Sequence, residues 1–312
     1  MTPLSTAAVI DEAIPPADAE AIEQEIAELE RRLAKAKAKR RPAGAYLNSS
    51  HDADAYTSKQ TIGPNEVPAT TTHFLLLLSD SALPLGSFAF SSGLESYLSH
   101  CKLAPLTNPN PNPPSLSAFL PLSLSSYAAT TLPFTLSAHR DPSRLASLDD
   151  ALDATMICTV GRRASVAQGR ALLSIWERSF SASLPAEAEE TLRPFLSLLR
   201  QPSPAGSLPG VSAHLAPLFG ALARLAGLSL EQTAYVFLLG HVKALVSAAV
   251  RAGMFGPYQA QKTLAGPAVQ ELIAAMVARE WDTPVERAGQ SVPVMDLWVG
   301  RHELLYSRIF NS

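Results

Sequence analysis

The sequence predicts an all-α protein, and three observations carry that prediction. Apolar residues recur at helical spacing from His73 onward, no convincing run of strand alternation interrupts them, and the breaks fall where proline and glycine cluster. A composition of 47% hydrophobic and 17% charged residues allows a sizeable buried core and excludes a fibrous or mainly disordered chain. The expected architecture is a single multi-helix, bundle-like domain over residues 73–312, with an extra N-terminal helix and a disordered linker before it.

Residues 1–72 form an N-terminal extension. Pro15 and Pro16 lead into a charged helix over about 18–41, with Asp18 as N-cap, glutamates early, and lysines and arginines late, as the helix dipole favours. Ile22, Ile26, Leu29 and Leu33 make an a/d seam of barely two heptads, so a lone solvated helix and a weak partner seam are both open. From Pro42 to Thr72 the chain is polar and turn-rich and reads as disordered.

Within the main domain, Leu75–Leu98 reads as a helix, a tight bend at Pro84 and Gly86, and a second helix start. Ser91 or Ser92 is placed to cap that second helix, with Glu95 in its first turn. Helical periodicity then runs through Leu215, Leu218, Phe219, Leu222 and Leu225, through Val236, Leu239, Val242, Val246 and Val250, and through Leu272, Ile273, Met276 and Val277. A mean helix near a dozen residues implies about seven to nine helices.

Charge and motifs exclude several kinds of function. The 25 Lys+Arg against 28 Asp+Glu give a net charge of −3, too balanced for a nucleic-acid footprint. Cys101 and Cys158 lie outside any CxxC spacing, which points to a reducing compartment, and the most apolar stretch, Ala234–Phe255, carries His241, Lys243 and Arg251, so the expectation is a soluble cytoplasmic protein with no membrane partner. Among the 16 glycines no GxG occurs and none precedes lysine, so neither a Rossmann fingerprint nor a P-loop is present. The seven histidines include no i, i+4 pair, there is no GxSxG elbow, and His100-Cys101 is weak as a metal site because adjacent side chains diverge.

Four ordered blocks carry a resemblance. LLLLSDSALPLGSFAFSSGLESYL (75–98) ends in Gly93-Leu94-Glu95; GRRASVAQGRALL (161–173) contains Gln168-Gly169; a long segment (214–261) begins at His214 and closes on Gly256-Pro257; and VMDLWVGRHELLYSRIFNS (294–312) forms the tail. Together they resemble the UreF family of urease accessory proteins, its eukaryotic or fungal-like branch in particular. Ser87 and Ala89 depart from the commoner glycine and tyrosine or serine, and the proline-rich insert 104–117 lengthens a linker.

The resemblance implies a non-catalytic, dimerising adaptor that links UreD (also called UreH) on apo-urease to the GTPase UreG for nickel insertion. It binds no cofactor itself and serves GTP-dependent nickel delivery through UreG. Carried onto this chain, the resemblance assigns UreD/UreH contact to Arg301, His302, Glu303, Tyr306, Ser307, Arg308 and Phe310, and a UreG-facing groove to Glu95, Arg251 and Gln259. Composition alone leaves the tail equally open to packing on its own domain, and His214 reads as a helix-start or core histidine. Two other readings stand beside the adaptor: a GTPase-activating protein for UreG with Arg251 as its finger, and a helical hydrolase using Ser91 or Ser92 with Glu95 and a distant histidine.

Overall fold

A computed structural model describes residues 28, 31–32, 69–103, 113–201 and 210–311. The charged helix and linker of the N-terminal extension lie almost wholly outside the described residues. Of that extension, Glu28, Arg31 and Arg32 are helical and exposed, with an Arg31–Glu28 ion pair of 3.3 Å.

Every regular element among the described residues is helical, without strands. Eleven α-helices follow in order: α1 (Ala69–Ser79), α2 (Leu94–Leu103), α3 (Leu116–Arg140), α4 (Leu145–Thr155), α5 (Thr159–Ile175), α6 (Ala186–Arg200), α7 (Leu215–Leu225), α8 (Leu230–Arg251), α9 (Pro257–Ala265), α10 (Pro267–Glu280) and α11 (Val294–Arg301). The count exceeds the expected seven to nine because short helices meet at abrupt breaks. Gly256-Pro257 ends the path of α8, and Gly266-Pro267 splits α9 from α10, each proline occupying a first helical position where its missing N–H costs nothing. The first helix starts at Ala69, four residues before the expected domain start.

The long α3 is the axis of the core, packed against α7, α8 and α10. Leu124, Leu132 and Leu136 of α3 are fully buried, as are Leu218 and Ala221 of α7 and Leu238 and Val242 of α8. Burial of a leucine side chain contributes about 1.5–3 kcal/mol, so this interior supplies most of the driving force for folding. Gly220 sets the separation of α3 and α7, because a Cβ there would lie 2.0 Å from the carbonyl oxygen of Thr135.

Helix ends are closed by local signals. Ser229 and Gln232 form a reciprocal capping box at the start of α8. At its end Gly253 takes a left-handed φ of 75° while Met254 N–H reaches back to Ala249 O at 3.0 Å. By length and composition α8 could cross a membrane, yet 61% of its most apolar window is buried inside the protein, as in a core helix. Its small residues Ala248 and Ala249 are buried within the domain.

Candidate partner-binding surface

The expected corner is present. After α1 the chain turns at Gly86 (φ 73°), passes a short helical turn at Ser87–Ala89, and enters α2 through Ser92 (φ 49°) and Gly93 (φ 87°). Ser91 Oγ accepts from Glu95 N–H at 3.4 Å, so Ser91 rather than Ser92 meets the first turn. Gly93 also lets two helices approach. A Cβ there would come within 3.1 Å of Val299 N and 3.2 Å of Trp298 Cβ, so glycine admits α11 against α2. Leu94 is fully buried behind it.

Glu95 does not direct its carboxylate to its own helix terminus. Its Oε1 accepts from Ile309 N–H at 2.7 Å and its Oε2 from Phe310 N–H at 3.3 Å, so it grips the C-terminal segment. Ala89 O accepts from Asn311 N–H at 2.7 Å, and His302 Nε2 lies 3.0 Å from Phe310 O. A carbonyl only accepts, so Nε2 is the donor in this contact. Its Nδ1 is buried with no hydrogen-bond partner among the described residues and lies 3.6 Å from Glu95 Oε2. Arg251 completes the clasp, its guanidinium 4.4 Å from the centre of the Phe310 ring, and desolvation by these neighbours lowers its pKa.

The tail therefore packs on its own domain and also presents residues outward. His302 is fully buried and Phe310 is 4% exposed, whereas Leu304 is 80% and Ile309 66% exposed and Tyr306 fully so. A direct partner contact through His302 or the Phe310 ring would require the tail to lift. Arg301, Ser307 and Arg308 are exposed, and neither arginine forms an ion pair among the described residues. Glu303 pairs with Arg163 of α5. Of the residues expected to face UreG, Glu95 and Arg251 meet through the tail, while Gln259 is exposed on α9, outside these contacts.

A second polar cluster, which sequence reasoning missed, stands behind this surface. Asp149 of α4 is fully buried and its two oxygens accept from three consecutive backbone N–H groups: Ser212 at 2.6 Å, Ala213 at 3.0 Å and His214 at 2.6 Å. Ala213 sits at φ 68°, a left-handed conformation that a side-chain-bearing residue holds only when its surroundings enforce it. Close by, Asp153 takes a two-pronged contact from Arg162 at 2.7 and 2.8 Å and meets His214 Nε2 at 2.7 Å. The signal available in the sequence was two aspartates at i, i+4 on an otherwise apolar face of α4.

Burial pushes the Asp153 carboxyl up, but hydrogen bonds from Arg162, His214 and Ser212 outweigh it and hold the group at about 2 against an ordinary 3.8. The depressed pKa stabilises the fold above about pH 4 and that contribution is lost as pH falls through about 2. Thermal midpoints of the native chain and of Asp153→Asn are therefore expected to differ at pH 7 and to converge toward pH 2. A constant difference across that range would show that the charge is not what matters.

Ser165 Oγ lies 3.0 Å from His214 Nδ1, so serine, histidine and Asp153 fall in line, yet Arg162 neutralises the aspartate and Leu215 N–H approaches the same hydroxyl at 3.4 Å. These contacts hold the 212–215 turn against α5, where Gly169 admits it: a Cβ there would lie 2.1 Å from Ala213 O. A cavity of about 610 Å³ opens nearby between the corner, α3, α5 and α8. His241 faces it, stacked 4.0 Å from Tyr127 with Nε2 3.0 Å from Ser123 Oγ, and burial lowers its pKa to about 3, so it is neutral. Cys101 and Cys158 are free thiols, and among the described residues no three His, Cys, Asp or Glu side chains gather where they could hold a metal ion.

Fold and surface together define an all-helical protein that displays its own C-terminal segment. The profile of the UreF family matches residues 112–268. A UreF-like urease accessory protein of Schizosaccharomyces pombe, itself uncharacterized, is 39% identical over 244 residues, covering 78% of this chain and 98% of that one. Urease accessory protein F of Oryza sativa subsp. indica is 33% identical over 239 residues, 75% and 82% of the two chains, and UreF of Paenarthrobacter aurescens is 32% identical over 247 residues, 78% and 99%. The chain belongs to the UreF family of urease accessory proteins.

Proposed function

We propose that the chain is a non-catalytic adaptor of urease maturation, acting in the cytoplasm as a homodimer that joins UreD/UreH on apo-urease to the GTPase UreG. The observation that carries this reading is the docked C-terminal segment, which exposes Leu304, Tyr306 and Ile309 beside Arg301 and Arg308, neither of them ion-paired among the described residues. Aromatic and arginine side chains at the centre of a patch are the residue types that concentrate binding energy. The tail is proposed to meet UreD/UreH. Arg251 and Gln259, on α8 and α9, are proposed to border the UreG-facing side, and the chain serves nickel delivery through UreG without binding a cofactor itself.

Co-purification with the UreD and UreG proteins of the same organism tests the reading: a stable assembly containing all three chains is expected, with GTP turnover by UreG unchanged when this chain is added. Failure to associate with either partner would overturn the adaptor. Stimulated turnover that disappears in Arg251→Ala would establish the activator instead.

A further inference from the structure

We propose that Glu95 is a positioning residue: it serves partner binding by clamping residues 309–310 against the start of α2, and does not itself meet the partner. The geometry supports each part of this statement. Both carboxylate oxygens are occupied by tail N–H groups, at 2.7 and 3.3 Å. His302, fully buried, holds the carbonyl of Phe310 from the other side at 3.0 Å, and Arg251 covers the ring. Two neighbouring peptide units are thus fixed on both faces by side chains of α2, α8 and the tail itself. A segment held in this way displays Tyr306 and Ile309 already ordered, so association carries less entropic cost.

The two acceptor oxygens sharpen the inference, because they predict how much of the clamp each replacement of Glu95 keeps. A glutamine there keeps one oxygen for the Ile309 N–H but sets its amide N–H group where Oε2 accepts from Phe310 N–H, so it holds one of the two tail bonds. Alanine removes both. The number of acceptor oxygens therefore sets the strength of the clamp.

The proposal is tested by tryptic cleavage after Arg308 in the full chain without partners, read by mass spectrometry as release of residues 309–312. Cutting there requires Ile309 to leave Glu95, so the rate reports undocking. Glu95→Ala is expected to be cut about tenfold faster than the native chain, which corresponds to about 1.4 kcal/mol of docking free energy. Glu95→Gln, with one acceptor oxygen left, is expected to be cut at a rate between the two. Phe310→Ala keeps both backbone N–H groups that Glu95 holds and removes the buried ring beside Arg251, so faster cleavage there shows that the cut reports undocking. Partner affinity should follow the same order, with glutamine restoring part of what alanine loses. Native-rate cleavage in a folded Glu95→Ala, or in Glu95→Gln where the alanine variant does not fold, would overturn the proposal, and so would a variant that keeps native protection but loses the partner.

The identity of the partner rests on the adaptor reading, but cleavage is measured on the chain alone. A protected tail on a chain that binds neither UreD nor UreG would sink the adaptor and leave the clamp standing as a structural contact.

Discussion

Asp149→Ala is expected to lower folding stability by about 3–5 kcal/mol, the range for removing one member of a buried charged interaction. Three backbone N–H groups, of Ser212, Ala213 and His214, depend on that one side chain. Losing it strands them in the interior, at about 1–3 kcal/mol for each buried group that finds no other partner. It also removes what holds Ala213 at its left-handed φ of 68°. The damage would spread, because the same turn places His214 on Asp153 and rests on Gly169 of α5. Urea denaturation reads the effect as a lower midpoint with an unchanged slope. Asp149→Asn keeps one acceptor oxygen and should fall between the two. A loss below about half a kcal/mol in the alanine variant, the level of an ordinary surface change, would show that the turn forms without its carboxylate.

The helices were legible because a 3.6-residue apolar period is a property of the chain alone. The corner at Gly86, the stop at Gly256-Pro257 and the burial of Leu218, Phe219 and Val242 all follow from it. The fine division into α9 and α10 was not, since a Gly-Pro pair between two amphipathic stretches reads equally as a kink or a break. What no local pattern supplies is the pairing of polar residues across the fold. The motif blocks make contact with one another: Gly93 touches Val299, Ser87 Oγ donates to Gln168 Oε1 at 2.9 Å, Gly169 admits Ala213, and Glu95 holds Ile309. These partners are separated by more than 40 to more than 200 positions, beyond the reach of periodicity. An acid in the first turn of a helix reads locally as a dipole partner. Only the arrival of the tail reveals that Glu95 is an acceptor for another segment. Asp149 was missed for the same reason, as an aspartate on an apolar face has meaning only once the 212–214 turn is brought to it.

Deleting residues 302–312 is expected to abolish association with UreD while also lowering the thermal midpoint, because the segment both packs and presents. The deletion removes the buried His302 and Phe310 and leaves Glu95 and Arg251 without the groups they hold. A loss on the order of 2 kcal/mol would shift the midpoint by about 4–8 °C in a domain of this size. Helix content should hardly change, since only a single short turn, His302–Leu304, belongs to the deleted stretch. Melting and binding therefore fall together in the deletion, and single substitutions are needed to separate them. Tyr306→Ala, at a fully exposed position, should leave the midpoint within a degree or two and cost on the order of 2 kcal/mol in the complex. Phe310→Ala should do the reverse in kind: it lowers the midpoint first, and weakens the complex through the undocked tail. If Tyr306→Ala binds UreD as tightly as the native chain while the deletion does not, the outward face of the tail is not the interface, and its contribution is limited to holding α2, α8 and α11 in place.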